Sequence, residues 1–310
     1  GLVIFLLFAR LNPFSLYRAG APLLGCGLLL LLLVLVPQLG HAAGGAQRWF
    51  QFGALRVQPG ELAKLIVVIY FAAYIDRHHR RMMSFVPGVA IPFAILGLFA
   101  ALLLAEPDFG STVVIVLVVL GQLFFVARLS HLAGVGVAAA CAFAVLVVSS
   151  PYRLKRFLAF LDPFNDPARS GYQLIQSLIA VGSGGLFGAG LGAGKQKLYY
   201  LPAAHTDFIF AVIAEELGML GALGVLLIFV LILCRGLAIS RRLVGSPYLC
   251  SLALGCTLLM VVPAMLNFAV VLGLLPTKGL VLPLVAYGGT AMIVHLAAVG
   301  MLVRLSRMGP

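Results

Sequence analysis

The amino-acid sequence predicts an all-α fold, a polytopic helical membrane bundle of about eight full spans and a truncated first one. Hydrophobic residues make up 63% of the 310 residues and charged residues 10%, whereas soluble globular proteins carry about 25% charged residues. The mean hydropathy is +1.14. Apolar runs recur along the chain, each close to the roughly 20 residues that a helix needs to cross a bilayer. A soluble globular protein is therefore excluded, and we expect a single transmembrane domain over residues 1–310.

Most of the predicted spans follow one another with short breaks. The chain opens at Gly1 on the apolar stub 2–9, which is too short to cross a bilayer, so we expect it to begin inside a span whose start is missing. One connection is much longer: residues 150–206 are rich in Gly, Pro, Tyr and charge, and loops of that length are usually functional. Within it, 172–181 is predicted to form a short interfacial helix. The full spans are predicted at 21–37, 59–75, 86–104, 111–127, 131–149, 207–234, 248–274 and 284–304.

The distribution of basic residues predicts the orientation of the bundle. If the chain crosses the membrane at each span, the short loops on one side carry only arginine as their cation, and short basic loops mark the cytoplasmic side. The long loop 150–206 then lies outside. These arginines are Arg10, Arg18, Arg77, Arg80, Arg81, Arg128, Arg235, Arg241, Arg242, Arg304 and Arg307. Of the acids, only Asp76 falls on the cytoplasmic side, so we expect the chemistry at the outer mouth of the bundle.

Two common classes of site are not indicated. The cysteines Cys26, Cys141, Cys234, Cys250 and Cys256 lie in apolar segments without metal-type spacing, so we expect neither a disulfide nor a zinc site. The Gly-rich run 182–194 lacks the GK[ST] ending and the preceding strand of a P-loop, and we interpret it as a segment that permits close backbone approach or loop motion.

The stretch LPAAHTDFIFAVIAEELG (201–218) places three acids in an otherwise apolar run. Asp207 begins a predicted span, where it or Thr206 could cap the helix by accepting hydrogen bonds from free backbone N–H groups. Alternatively, partial desolvation at the membrane surface suits the carboxylate to act as a general base. His205 is either its hydrogen-bond partner or an interfacial residue. These alternatives stay open at the level of the sequence.

The two glutamates of the same stretch are predicted to lie deeper. Glu215 is eight residues beyond Asp207, about 12 Å along a helix and about 80° around its axis, and Glu216 is about 180° from Asp207. Neither can therefore form a compact dyad with Asp207. Each either pairs with a cation or polar group and fixes packing, or lines a cavity or proton path.

A second set of charged residues surrounds the predicted span 59–75. Arg48 lies in QRWFQFGALRVQPGELAK (47–64), where Glu61 and Lys64 are neighbours on one helix face. They form an internal ion pair, or Lys64 serves a ligand or the reaction. The outer turn LLLAEPDFGST (102–112) carries Glu106 and Asp108, which could hold a metal or another cation, although two carboxylates alone are weak evidence.

Further cations lie in the long loop and before the final span. Arg153 and Arg156 belong to YRLKRF (152–157), which could bind a phosphate or pyrophosphate group, or merely lipid head groups. Lys197 follows the Gly-rich run. Lys278 lies in LLPTKGLVLPLVAYGGTA (274–291), whose Pro and Gly content predicts a re-entrant or kinked approach to the last span.

Five segments, in order, resemble one family. RWFQFGALRVQPGELAK, EPDFGST, FLDPFNDPARSGYQLIQSLIA, GLGAGKQKLYYLPAAHTDFIFAVIAEELG and GLLPTKGLVLPLVAYGGT are similar to motifs of the SEDS (shape, elongation, division, sporulation) family, the FtsW/RodA family of peptidoglycan glycosyltransferases. The resemblance covers almost the whole chain. QKLYYLP and LPTKGL are closer to the division (FtsW) branch than to the elongation (RodA) branch.

The resemblance implies an activity, a location and partners. It implies polymerisation of lipid II at the outer face of the bacterial cytoplasmic (inner) membrane, for cell division or cell shape. It also implies a class B penicillin-binding transpeptidase and other divisome or elongasome proteins as partners, and no nucleic acid. A divalent cation, Mg or Mn, is the only cofactor considered.

The resemblance also implies roles for individual residues. Asp207, in the HTDF motif, would be the general base, and undecaprenyl pyrophosphate would be the leaving group. Lys64, Arg153 and Arg156 would stabilise that leaving group. The other expected substrate-binding residues are Arg48, Lys197, His205, Thr206 and Lys278.

The chain departs from the family pattern at several positions. Gly60 replaces the usual serine of QPSEL, Ala203 a glutamate of PEAHTD, and Ala286 a serine of SYGGSS; Thr290 also departs from that last motif. These changes leave Asp207 in place, but exclude a role for a glutamate at 203 or a serine at 286.

Two rival functions are compatible with the same residues. A transporter that flips the lipid-linked precursor would use the same cations together with Glu215 and Glu216, but it needs a site reachable from both sides of the membrane. A scaffold that only recruits a transpeptidase would not need Asp207.

Overall fold

In the computed structural model, helices account for all the predicted spans. It describes residues 1–43, 46–53, 55–164, 171–198, 200–277 and 279–308, with only the backbone described at 42, 43, 46, 52, 55, 143, 146, 152, 153, 156 and 159. The helices are α1 (Leu2–Arg10), α2 (Pro13–Val34), α3 (Pro59–Arg77), α4 (Ile91–Ala105), α5 (Phe109–Phe124), α6 (Leu129–Val148), α7 (Pro151–Leu161), α8 (Tyr172–Ser183), α9 (Ile209–Arg242), α10 (Pro247–Val271) and α11 (Gly289–Ser306). A 3₁₀ turn (His79–Arg81) follows α3, and a π turn (Val86–Ala90) leads into α4.

The predicted helical membrane bundle is confirmed. Each of the eight predicted spans overlaps a helix, and the stub overlaps α1, although the last predicted span, 284–304, begins five residues before α11. Within the described residues, five helices are both long and apolar enough to cross a bilayer: Pro13–Val34, Val86–Ala105, Ile209–Arg242, Pro247–Val271 and Gly289–Ser306. Helix α5 is apolar but shorter, and α3 carries Glu61 and Lys64.

Two features of the connections between the spans were not predicted. A three-stranded antiparallel sheet precedes α3, in the order β1 (His41–Ala43), β2 (Ala46–Phe52) and β3 (Leu55–Val57). Hydropathy does not reveal it, because short strands of mixed polarity resemble loop. The long loop also contains α7 in addition to α8, the short helix that the sequence did predict.

The backbone divides into two compact units. The first comprises Gly1–Gly134, Ile232–Val262 and Gly288–Pro310, and the second Val135–Leu231 and Pro263–Tyr287. The single domain over 1–310 stays a prediction.

Helix α3 forms the centre of the first unit. It packs against α2, α5 and α11, and α1 packs against α11. Its apolar side chains are almost wholly buried on more than one face, as expected for a helix surrounded by other helices. The buried Gln122 of α5 donates to the carbonyl oxygens of Val68 (3.2 Å) and Ser251 (3.1 Å), so a polar contact fixes α5 against α3 and α10.

The second unit contains α7, α8, the Gly-rich loop and the approach to α9. Ser177 of α8 donates to the carbonyl oxygen of Val271, at the end of α10 (2.9 Å). Phe268 of α10 packs on Phe210 and Phe229 of α9, with ring centroids 4.4 and 5.7 Å apart. The segment 279–288 is non-helical and buries Leu282 and Ala286. Irregular backbone therefore precedes α11.

Candidate functional site

Asp207 ends a tight turn at the start of α9. Ala203 has a positive φ of 56°, and its carbonyl oxygen accepts hydrogen bonds from the N–H groups of Thr206 (3.1 Å), Asp207 (3.1 Å) and Phe208 (3.3 Å). The Thr206 hydroxyl donates to the same oxygen (3.2 Å). The turn orients the residue before a long helix begins, and Asp207 is half-buried.

A buried asparagine that the sequence reasoning missed fixes this turn. Asn267 of α10 is 1% exposed, and its Nδ2 donates to the backbone oxygens of Asp207 (2.7 Å) and Leu280 (2.6 Å). Both acceptors are carbonyls, which cannot donate, so the amide nitrogen must face them. One side chain thus joins α10, the Asp207 turn and the segment that leads to α11.

The segment before α11 completes the surroundings of Asp207. A Cβ atom added to Gly279 would lie 2.8 Å from Asp207 Oδ2, so the carboxylate would have to shift. The Tyr287 N–H donates to the His205 carbonyl oxygen (3.0 Å), whereas the His205 side chain is exposed. The motifs HTDF and PTKGL are therefore in contact.

Several predicted cations lie wholly or partly outside this description. Lys278 lies outside the described residues. Arg153 and Arg156 lie on α7, but their side chains are outside the described part of the structure. Lys197 is described: its Nζ lies 2.6 Å from Glu216 Oε1. Its ammonium group already has an anionic partner.

In the first unit, Arg48 holds the turn between α4 and α5. From β2 its guanidinium donates to the backbone oxygens of Glu106 (2.8 Å) and Pro107. Asp108 caps α5: Oδ1 accepts from the Ser111 N–H (3.1 Å), and Oδ2 from the Ser111 hydroxyl (2.8 Å). Gln58 Nε2 also donates to Asp108 Oδ2 (3.1 Å). These contacts give both charged residues an evident structural role.

Glu106 differs from Asp108 because it is fully buried. Within the described residues, neither of its carboxylate oxygens has a hydrogen-bond partner. Burial, reinforced by the negative charge of Asp108 and partly offset by Arg48, raises the pKa of Glu106 to about 8 from 4.5. At neutral pH the protonated form therefore predominates.

Glu61 and Lys64 form the predicted internal ion pair, with Lys64 Nζ 2.6 Å from Glu61 Oε1 and both side chains buried. Thr290, at the start of α11, accepts from the Gln58 N–H (3.1 Å) and donates to the Arg56 carbonyl (3.3 Å). Thr290, where the sequence departs from the family pattern, therefore joins α11 to the start of α3.

The carboxylates of the turn between α4 and α5 do not meet the requirements of a metal site. Among the residues described, no group of three or more His, Cys, Asp or Glu side chains is arranged to hold a metal ion. Asp108 already accepts hydrogen bonds from Ser111 and Gln58, which leaves Glu106 alone. Glu106 and Asp108 as placed do not form a ligand set for Mg or Mn.

The chain is similar to known proteins over its whole length. The FtsW/RodA/SpoVE model, described as "Cell cycle protein", matches residues 1–309. A probable peptidoglycan glycosyltransferase FtsW of Methylococcus capsulatus is 45% identical over 300 residues, which are 96% of this chain and 75% of that protein. The probable peptidoglycan glycosyltransferase FtsW of Marinobacter nauticus is 47% identical over 292 residues, 93% of this chain and 73% of that protein.

The fold of this chain is also similar to that of solved structures. One, of a peptidoglycan synthase complex that coordinates polymerization and crosslinking, has a TM-score of 0.81 and 33% identity, and covers 99% of this chain and 86% of that chain. The crystal structure of the rod shape determining protein RodA of Thermus thermophilus has a TM-score of 0.72 and 30% identity, and covers 99% of this chain and 84% of that chain.

Proposed function

This chain belongs to the FtsW/RodA/SpoVE family of cell cycle proteins. On that basis we propose which of its residues carry out the glycosyl transfer. The chain is a peptidoglycan glycosyltransferase and a multi-pass helical membrane protein. Its substrate would be lipid II, which it would polymerise into glycan strands at the outer face of the bacterial cytoplasmic membrane. The identities of 45 to 47% to FtsW proteins favour a role in cell division.

Asp207 is the proposed general base. Its carboxylate removes the proton from the C4 hydroxyl of the acceptor sugar, and that oxygen attacks the anomeric carbon of the donor. The attack comes from the face opposite the bond between the anomeric carbon and the pyrophosphate oxygen. That bond breaks, so the configuration at the anomeric carbon inverts. Undecaprenyl pyrophosphate leaves with the electron pair. General-base assistance of this kind contributes about 10²- to 10⁴-fold to a rate.

The observation that carries this assignment is the fixed position of Asp207. Its backbone is held by the buried Asn267, and the Gly279 backbone closes on its carboxylate. A base whose backbone is held in place can meet a bound hydroxyl in a defined geometry, which supports the assignment.

The leaving group requires positive charge. Arg153, Arg156 and Lys278 remain proposed contacts of the pyrophosphate, and His205 and Thr206 of the sugars, whereas Lys64 is buried in its ion pair with Glu61. A role for Mg or Mn remains a proposal from the resemblance, and since Glu106 and Asp108 do not form a ligand set, no step is assigned to a metal.

The similarity to a synthase complex that also crosslinks supports a penicillin-binding protein as partner. We propose that it is a single-span class B transpeptidase, joined by other divisome or elongasome proteins.

The test compares wild type with Asp207→Asn in detergent, with the transpeptidase partner and purified lipid II. The matched control is Asp162→Asn, because Asp162 is an exposed acid of the outer connection. We expect glycan strands from wild type and control, and a rate at least about 10²-fold lower from Asp207→Asn.

Other outcomes would support the rivals. Equal polymer from wild type and Asp207→Asn would remove Asp207 as the base. No polymer from any variant, together with lipid II flipping in vesicles, would favour the transporter. Neither polymer nor flipping, with an intact complex with the transpeptidase, would favour the scaffold.

A further inference from the structure

The Gly-rich loop is built into the hydrogen-bond ladder of α9. Gly218 has a φ of 68° and interrupts the helix, so the N–H groups just beyond it do not reach the carbonyls four residues earlier. The loop offers carbonyl oxygens to these N–H groups, and its own N–H groups donate to the carbonyl oxygens that the break leaves free. The four bonds are Met219 N–H to Gly185 O (2.9 Å), Leu220 N–H to Leu186 O (3.3 Å), Ala189 N–H to Glu215 O (2.9 Å) and Gly190 N–H to Glu216 O (3.1 Å).

The Glu215 side chain binds the next part of the loop. The residue is 3% exposed, and its carboxylate accepts hydrogen bonds from the backbone N–H groups of Lys195 (2.8 Å) and Gln196 (3.2 Å). A buried carboxylate is stable only when such donors replace water. The loop therefore supplies the donors that stabilise the buried Glu215 carboxylate, and Glu215 in turn holds the loop.

Glu216 binds the same loop from the neighbouring position. Its Oε2 accepts from the Gly192 N–H (3.0 Å), and its Oε1 pairs with Lys197 Nζ (2.6 Å). Gly194 lies between the two carboxylates, since a Cβ atom there would meet Glu216 Oε1 at 2.9 Å and Glu215 Oε2 at 3.0 Å. The loop consequently fits both acids at once.

From these contacts we propose that Glu215 and Glu216 are positioning residues that clamp the loop 192–197 to α9, and that Lys197 belongs to this glutamate clamp rather than to the substrate site. The proposal rests on the proposed function insofar as the positioned residue is Asp207. Two adjacent acids are needed because each carboxylate accepts hydrogen bonds from a different set of donors in the loop.

The clamped loop leads directly to the proposed base. The Leu201 N–H donates to the Gln196 carbonyl (2.9 Å), and Leu201 is buried. The turn at Ala203 and then Asp207 follow. Because the clamp and Asp207 are both attached to the first turns of α9, loosening the loop shifts the backbone that delivers the carboxylate. Misplacement of a reacting group by about 1 Å can lower a rate about 10²-fold.

A double-mutant cycle separates the clamp from substrate binding by Lys197. Lipid II polymerisation by the full complex is measured for Glu216→Gln, Lys197→Met and the double variant, with Lys195→Met as the control. Lys195 is the matched lysine: it lies on the same loop with an exposed side chain, and only its backbone N–H contacts the clamp.

The clamp predicts that both single variants lower kcat on the order of 10-fold, with KM within about twofold, and that the double variant is no slower than either single variant. Lys195→Met should resemble wild type. If Lys197→Met alone raises KM and the two effects multiply, Lys197 binds substrate and the proposal is overturned.

Amide hydrogen exchange in lipid nanodiscs tests the clamp without reference to activity. Peptides over 187–198 should exchange about 10-fold faster or more in Glu215→Ala than in wild type, because charge-assisted hydrogen bonds to the loop are lost. They should exchange at the wild-type rate in Asp207→Asn. If Glu215→Ala exchanges at the wild-type rate, the clamp is refuted, whether or not Asp207 is the base. If Glu215→Ala exchanges faster but Asp207→Asn still polymerises lipid II, only the role of Asp207 as the base is refuted.

Discussion

Replacement of Asn267 by leucine tests how much of the site depends on one buried amide. Leucine has a similar volume but no donor, so the carbonyl oxygens of Asp207 and Leu280 would lose the partner at 2.7 and 2.6 Å. A buried polar group left without a partner costs about 1–3 kcal/mol, so two give about 2–6 kcal/mol. Native proteins are stable by only about 5–15 kcal/mol.

The effect should appear both in stability and in catalysis. With about 2–4 °C per kcal/mol, the value for domains of about 150–250 residues, the Tm of the detergent-solubilised protein should fall by about 4–24 °C. The kcat for lipid II polymerisation should fall on the order of 10-fold or more, because the turn that carries Asp207 loses its attachment to α10. KM should change little, since Asn267 does not face the substrate in this proposal.

Thr257→Val is the matched control on the same helix. Thr257 is also fully buried, but its hydroxyl donates to Ala253, one turn earlier on α10 (2.7 Å), so the substitution removes only a local bond. We expect a change within about 1 kcal/mol and normal activity. If Asn267→Leu keeps its Tm within about 2 °C of wild type and its rate within twofold, the amide does not hold the site and the reasoning is refuted.

Three further substitutions test the surroundings. Gly279→Ala places a methyl group against Asp207 Oδ2, so kcat should fall at least about 10-fold while Tm changes little; normal kcat would show that the segment yields easily. Because the pKa of Glu106 is raised to about 8 from 4.5, the folded protein binds the proton more tightly than the unfolded chain. The stability contributed by this proton is present below pH 4.5 and is lost as pH rises through 8. Wild-type Tm should therefore fall between pH 6 and pH 9, and Glu106→Gln should flatten the profile; identical profiles would contradict the assignment. Lys64→Met leaves the buried Glu61 carboxylate without its cation and should cost about 3–5 kcal/mol, most of which the double variant with Glu61→Gln should restore. Additive losses would show that the two residues do not act as a pair.

The sequence predicted the helical spans well, because whether an apolar run forms a membrane-spanning helix depends mainly on the hydropathy of that run. Residues 59–75 became α3 (Pro59–Arg77), and 248–274 became α10 (Pro247–Val271). The sheet at 41–57 escaped prediction, since its pairing joins short strands whose polarity pattern is weak. Glu215 and Glu216 were placed in the correct helix, but their binding to the loop depends on the break at Gly218, which a glycine in an apolar run does not predict.

By itself, then, the sequence determined the membrane class, the order of the helices and the position of Asp207 at the start of a helix. These properties follow from local hydropathy and from motifs that are contiguous in the chain. Only the tertiary structure decided which groups meet there: Asn267 reaches Asp207 across 60 positions, and Thr290 reaches Gln58 across 232. Such contacts depend on how the helices pack, and the geometry of a hydrogen bond, unlike hydropathy, is a property of two residues together.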